Sequence, residues 1–238
     1  MKHLFFTLLI FIFSINCYSQ SEAEEFLENA MDFSIGGDNE KAIIELDKAI
    51  KQNPRFFSAY LMRGDFNAEL GNYENAIKDY SIAADLETKD AEPVRKRGDM
   101  KRFLKDYTGA IKDYSLAIER NSGDSESYNN RGLAFADMGN YEGAIRDFNN
   151  SIDLNSKYPD PWANKAAAKI ELKKPVDAIA DCNRALQIKE NFPPALFYKG
   201  IAKINLGDKM GGCLDLSRSG ELGYIKAYDE IKKSCKFE

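Results

Sequence analysis

Apolar residues return along this chain at helical spacing, and the whole arrangement returns every 34 residues. The stretch "AIKDYSIA" at 76–83 comes back as "AIKDYSLA" at 110–117 and as "AIRDFNNS" at 144–151. A period of that length marks stacked supersecondary units. Each column has its own packing duty. A large apolar residue recurs as Phe26, Tyr60, Val94, Tyr128, Trp162 and Leu196, and four residues later stands a small one: Ala30, Gly64, Gly98, Gly132, Ala166 and Gly200. One helical turn apart, the two share a face, where the first fills a core and the second admits a neighbouring helix. A second small column, Ala42, Ala76, Ala110, Ala144, Ala178 and Gly212, is followed after four residues by Leu46, Tyr80, Tyr114, Phe148, Cys182 and Leu216. Gly or polar pairs between the two stretches, as in "LGNY", "LKDY" and "MGNY", end one helix and begin the next. The pattern predicts six antiparallel helix pairs over about residues 23–226, followed by a terminal helix over about 225–236. In the sixth pair Gly211 and Gly212 are expected to loosen the second helix, because a helix-interior glycine costs about 1 kcal/mol relative to alanine.

These columns resemble the tetratricopeptide repeat, most fully in "YNNRGLAFADMGNYEGAIRDFNNSIDLN", and less so where Asn29, Pro175 and Gly212 stand. The resemblance implies an all-α fold: a right-handed α-solenoid, or superhelix, of stacked antiparallel helix pairs with a C-terminal capping helix. It also implies a non-enzymatic scaffold or adaptor whose first helices line a concave groove for a protein or peptide partner. By the same resemblance the groove residues are Arg95, Asp99, Asn129, Leu133, Ala163, Ala167, Phe197 and Ile201. The rim column holds Glu24, Glu92, Glu126 and Asp160, and an acidic rim over an apolar floor suits a basic or amphipathic peptide. The family's clamp for a terminal carboxylate is not implied, because Asp99 stands where that clamp has Asn. In the alternative reading the rim is a solvated face and the apolar run packs under the last helix.

One pair of columns goes beyond packing. Arg63, Arg97, Arg131, Lys165 and Lys199 are each followed sixteen residues later by an acid: Asp79, Asp113, Asp147, Asp181 and Asp215. A row of catalytic carboxylates or an anion-binding row of cations would look similar. Repetition in nearly every unit favours a ladder of structural ion pairs, since a reaction centre has no need of serial copies.

The amino end reads differently. In "MKHLFFTLLIFIFSINCYSQ" a basic tip precedes an apolar run of 12 residues, Leu4 to Ile15. A bilayer-spanning helix needs roughly 20 residues, so residues 1–19 are expected to be a cleaved secretory signal and residues 20–238 the solenoid. Ser21 and Glu24 form a capping box just beyond the expected cut. The rival reading lipidates Cys17, although Asn16 precedes it where a small residue belongs. Cleavage would remove His3, the single histidine, and with it every imidazole mechanism or ligand. Losing Lys2 alone would take the formal charge from -5 to -6, with no cluster of Lys and Arg in the sequence to recruit nucleic acid. The expected setting is the periplasm or cell envelope, or secretion, with no cofactor and no transmembrane segment in the mature chain. A hydrolase using two carboxylates such as Asp65 and Asp99, or an accessory module of an envelope enzyme, remains the alternative, as does a purely structural oligomer subunit.

Three cysteines would survive cleavage. Cys182 sits in the bulky interior column. Cys213 and Cys235 are equidistant from Tyr224, beside Gly223, so antiparallel helices joined through "ELGY" would bring the two thiols to one level. An oxidising compartment would let them bond; two unpaired buried thiols are the alternative.

Overall fold

The computed structural model describes residues 21–235. The expected signal segment, its cleavage point and the choice between a soluble and a lipidated amino end therefore lie outside the described residues. Within them the chain forms thirteen helices and no strand. Helix α1 covers residues 21–35; α2 is Asn39–Gln52, α3 Phe57–Glu69, α4 Tyr73–Leu86 and α5 Glu92–Phe103. These form a first compact unit, which ends at Asp106. The second unit begins at Tyr107 with α6, Tyr107–Arg120, then α7, Ser125–Asp137, and α8, Tyr141–Leu154. It continues with α9, Asp160–Glu171, α10, Pro175–Ile188, α11, Pro193–Asn205, α12, Lys209–Glu221, and α13, Lys226–Ser234.

Seven turns share one chemistry. After α3, Gly71 takes φ 78°, its N–H donates to the Ala68 carbonyl at 3.0 Å, and the next N–H, of Asn72, donates to Asn67 at 2.8 Å. This double closure of the last helical turn recurs at Gly37, Gly139, Gly207 and Gly223. It also recurs at Lys105 and Lys173, with φ 63° and 58°, where an L side chain occupies the left-handed region. The polar residue after the turn then starts the partner helix: Asn140 Oδ1 accepts from Gly143 N at 3.0 Å, and Asp208 Oδ1 from Gly211 N at 2.9 Å.

The small columns are sites of helix contact. A Cβ on Gly64 would stand 2.6 Å from Cε1 of Tyr80, and one on Gly132 would stand 2.7 Å from Cε1 of Phe148. Each glycine thus leaves room for an aromatic ring from the second helix of its own pair. Where the column holds Ala30 or Ala166, the opposite residue shrinks to Leu46 or Cys182, within the same buried clusters. Burying each such ring contributes about 1.5–3 kcal/mol. Gly212 departs from expectation. Helix α12 runs unbroken through Gly211 and Gly212, and a Cβ on Gly212 would lie 2.6 Å from the Gly200 carbonyl. The pair Gly200 and Gly212 lets α11 and α12 touch backbone to backbone, so the glycine tightens this hairpin rather than loosening it.

Candidate functional site

Cations of the first helices reach in two directions. Arg63 Nη2 lies 2.6 Å from Asp79 Oδ1 on α4, while its Nη1 lies 2.5 Å from Asp47 Oδ1 on α2. The two acids stand sixteen residues after and sixteen residues before the arginine. Arg131 repeats the arrangement in the second unit, with Nε and Nη2 on the two oxygens of Asp147 at 2.7 and 2.8 Å and Nη1 on Ser115 Oγ at 3.1 Å. Lys165 Nζ sits 3.1 Å from Asp181 and 3.2 Å from Asn149 Oδ1, and Arg97 Nη1 donates to Ser81 Oγ at 3.1 Å. Arg63, Arg131 and Lys165 therefore each join the second helix of their own pair to the second helix of the pair before, and Arg97 reaches the second helix of the pair before. Hydrogen bonds to Asp147 hold the Arg131 guanidinium above its ordinary pKa, against the opposing effect of burial. For Arg63 burial opposes the charged form, but the hydrogen bonds to Asp79 and Asp47 outweigh it.

In the sixth pair the partner of Asp215 is Lys203 at 2.7 Å, not Lys199. Lys203 lies one turn further along the same face of α11, and its ammonium is the nearer. The same later column supplies Lys169 to Asp181 at 2.6 Å and the amide of Asn67 to Asp79 at 3.3 Å. Residue type varies in that column among amide, lysine and, at Phe135, an aromatic ring, which hides it from a search for repeated residues. The Asp181 and Asp215 oxygens facing these lysines receive no aligned hydrogen bond, so both contacts are ion pairs by proximity alone.

The expected groove residues separate by unit. In the first, Asp65 Oδ1 accepts from the Tyr80 hydroxyl at 2.7 Å and from Lys96 Nζ at 2.8 Å, and Lys96 also lies 3.5 Å from Glu92. Arg95 Nη1 stands 3.9 Å from Asp99 Oδ2. Burial first, then the Asp65 carboxylate, raises the Tyr80 phenol pKa. In the second unit, Asn129 is buried, donating to Asn130 Oδ1 at 3.1 Å and accepting from Asn164 Nδ2 at 2.9 Å, and Ala163 is buried in the core. Leu133, Ala167 and Ile201 stay partly exposed. Phe197 is covered: its ring centroid lies 5.1 Å from that of Tyr224, in one cluster with Leu216 and Ala227, against which Ile201 and Ile231 also pack. The apolar run thus passes beneath α13 at its far end, where Ala227 is buried in the same cluster.

Cys213 on α12 is bonded to Cys235, just past α13, with Cα atoms 5.7 Å apart. Cys182 is free and buried, and burial, followed by the charge of Asp181, pushes its thiol up to about 12. Among the described residues no group of three or more His, Cys, Asp or Glu could hold a metal ion, and no helix is long and apolar enough to cross a membrane.

Tetratricopeptide-repeat profiles match residues 27–91 and 125–158. The crystal structure of PilW, described as a widely conserved type IV pilus biogenesis factor, has a TM-score of 0.76 at 16% identity, over 88% of this chain and 97% of that one. The Pseudomonas aeruginosa pilF structure has 0.73 at 17% identity, over 90% and 98%. The crystal structure of MamA protein has 0.65 at 20% identity, over 71% and 93%. At such identities the likeness is one of fold: an all-α repeat solenoid. No curated protein sequence matches the chain. The repeat columns, the hairpins and the profiles agree: the chain carries tetratricopeptide repeats over residues 27–91 and 125–158 and folds as an all-α repeat solenoid.

Proposed function

We propose that the protein is a non-enzymatic scaffold that, once exported, holds a basic or amphipathic segment of a partner protein against the first helices of its repeats in the cell envelope. One observation carries this reading. Core columns keep their chemistry from pair to pair, while first-helix positions outside the core change it. They are Asp65, Glu92, Arg95, Lys96 and Asp99 in the first unit, and the partly exposed Leu133 and Ala167 in the second. A surface that only solvated a solenoid would have no need to vary in this way. The Cys213–Cys235 bond fits an oxidising compartment, and the fold likeness to a pilus biogenesis factor agrees with an envelope setting.

The test is site-specific photocrosslinking in cells. A benzophenone side chain at Ala167 is expected to trap one discrete partner, and Leu133→Lys, in the same unit, should reduce its recovery. A probe at the exposed Arg146 on α8 should trap nothing comparable. Adducts that form at Arg146 and not at Ala167 would overturn the reading.

A further inference from the structure

Phe135 breaks a polar column. At the matching places Asn67, Lys169 and Lys203 reach the aspartates Asp79, Asp181 and Asp215, whereas α7 presents a half-buried ring. The ring opens onto a pocket of about 330 Å³, lined by Thr108, Ile111 and Lys112 of α6, by Phe135 and Met138, and by Asn140 at the start of α8. Ile111, Phe135 and Met138 make its apolar wall, and Met138 is 54% exposed at the protein surface. The polar groups around it can all donate a hydrogen bond. Asn140 Oδ1 is occupied by Gly143 N, which leaves the amide protons of Asn140 as donors. Thr108 brings a hydroxyl. Lys112 brings an exposed ammonium with no ion-pair partner among the described residues. No carboxylate lines the pocket. The contrast with the first unit is direct: there the pocket of about 390 Å³ is lined by Asp47, Arg63 and Asp79, which already satisfy one another.

We propose that the second-unit pocket binds a medium-chain alkyl carboxylate, with the chain along Ile111, Phe135 and Met138 and the carboxylate on the Lys112 ammonium, within reach of the Asn140 amide and Thr108 hydroxyl. Its volume lies at the small end of the range of ligand pockets, and an apolar wall with a few convergent donors is the usual composition of such a site. The proposal is separate from the groove reading, since none of these residues belongs to the expected groove.

Octanoate titrated into the full exported chain tests it, read by methyl NMR at Ile111 and Met138. The expected result is saturable shifts of both methyl groups with a Kd in the millimolar range, as befits so small a ligand. Octanamide, which keeps the chain and removes the charge, should bind about tenfold more weakly, and Lys112→Gln should lose about the same factor for octanoate. Phe135→Lys, which restores the polar column, should abolish the shifts. Lys112 is exposed, so its variant keeps the fold and the test does not depend on Phe135→Lys folding. Shifts that stay linear to about 20 mM octanoate, an equal response to octanamide, or an unchanged response in Lys112→Gln would each overturn the proposal.

Discussion

Arg131 and Asp147 meet through two parallel hydrogen bonds, Nε to Oδ2 at 2.7 Å and Nη2 to Oδ1 at 2.8 Å, with the acid side chain only 5% exposed. Removing the arginine strands a buried carboxylate. Arg131→Ala is expected to cost about 3 kcal/mol in urea unfolding, against under about 1 kcal/mol for an ordinary surface pair. A double-mutant cycle with Asp147→Ala should show strong coupling; additive single effects would mean that the pair does not stabilise the fold.

Gly132 lies under Phe148, so Gly132→Ala should destabilise by about 1–3 kcal/mol through overpacking. Adding Phe148→Leu should recover part of the loss, because Ala30 and Leu46 already form the smaller version of the same contact. A neutral Gly132→Ala in a thermal melt would contradict the close approach.

Lys105 and Lys173 hold left-handed backbone that glycine holds in the other turns. Lys105→Gly and Lys173→Gly should each raise stability, by up to about 1 kcal/mol, because the penalty on an L side chain there exceeds the extra entropy glycine loses on folding. Gly71→Ala should act in the opposite direction. Chemical denaturation of the three variants decides it, and a lowered midpoint for both glycine variants would refute the assignment.

The Cys213–Cys235 bond anchors α13, whose one fully buried residue is Ala227. Reduction, or Cys213→Ser, is expected to lower hydrogen-exchange protection over residues 209–235 before residues 125–154 respond. Alkylation of both thiols in unreduced protein prepared under oxidising conditions would exclude the bond.

Cys182 gives the pH dependence a sign. Its folded thiol is pushed up to about 12 from an ordinary value near 9. Between those values the unfolded chain releases a proton that the folded chain keeps, so folding stability falls as pH rises from about 9 to 12. Below pH 9 this contribution is fully present. Cys182→Ala should show a shallower alkaline decline than the parent, and equal slopes would refute the effect.

The period was legible because packing fixes both size and spacing: Gly64 under Tyr80 leaves no freedom at either place. Contacts that depend on reach rather than size were not. Lys203 replaces Lys199 at Asp215 because a long flexible side chain one turn away serves as well. Asn129 reads as an open groove residue until Asn164, on the next first helix, is seen to donate to it. Phe197 reads as groove floor because α13, which covers it, belongs to no repeat and leaves no periodic trace. The backward reach of the cations was present as the column Asp47, Ser81, Ser115 and Asn149, but a shared capacity to accept a hydrogen bond is fainter than a shared residue.

That backward reach bears on cooperativity. A cation tied only to its own hairpin would strengthen each repeat by itself, and repeats could melt one at a time. Arg63, Arg131 and Lys165 instead place part of their binding energy across the junction with the preceding hairpin. In a linear array, energy held at junctions raises the penalty for a boundary between folded and melted segments. Within each unit, neighbouring hairpins are thereby driven to fold and unfold together, and the loss of one repeat is felt by the repeat beside it.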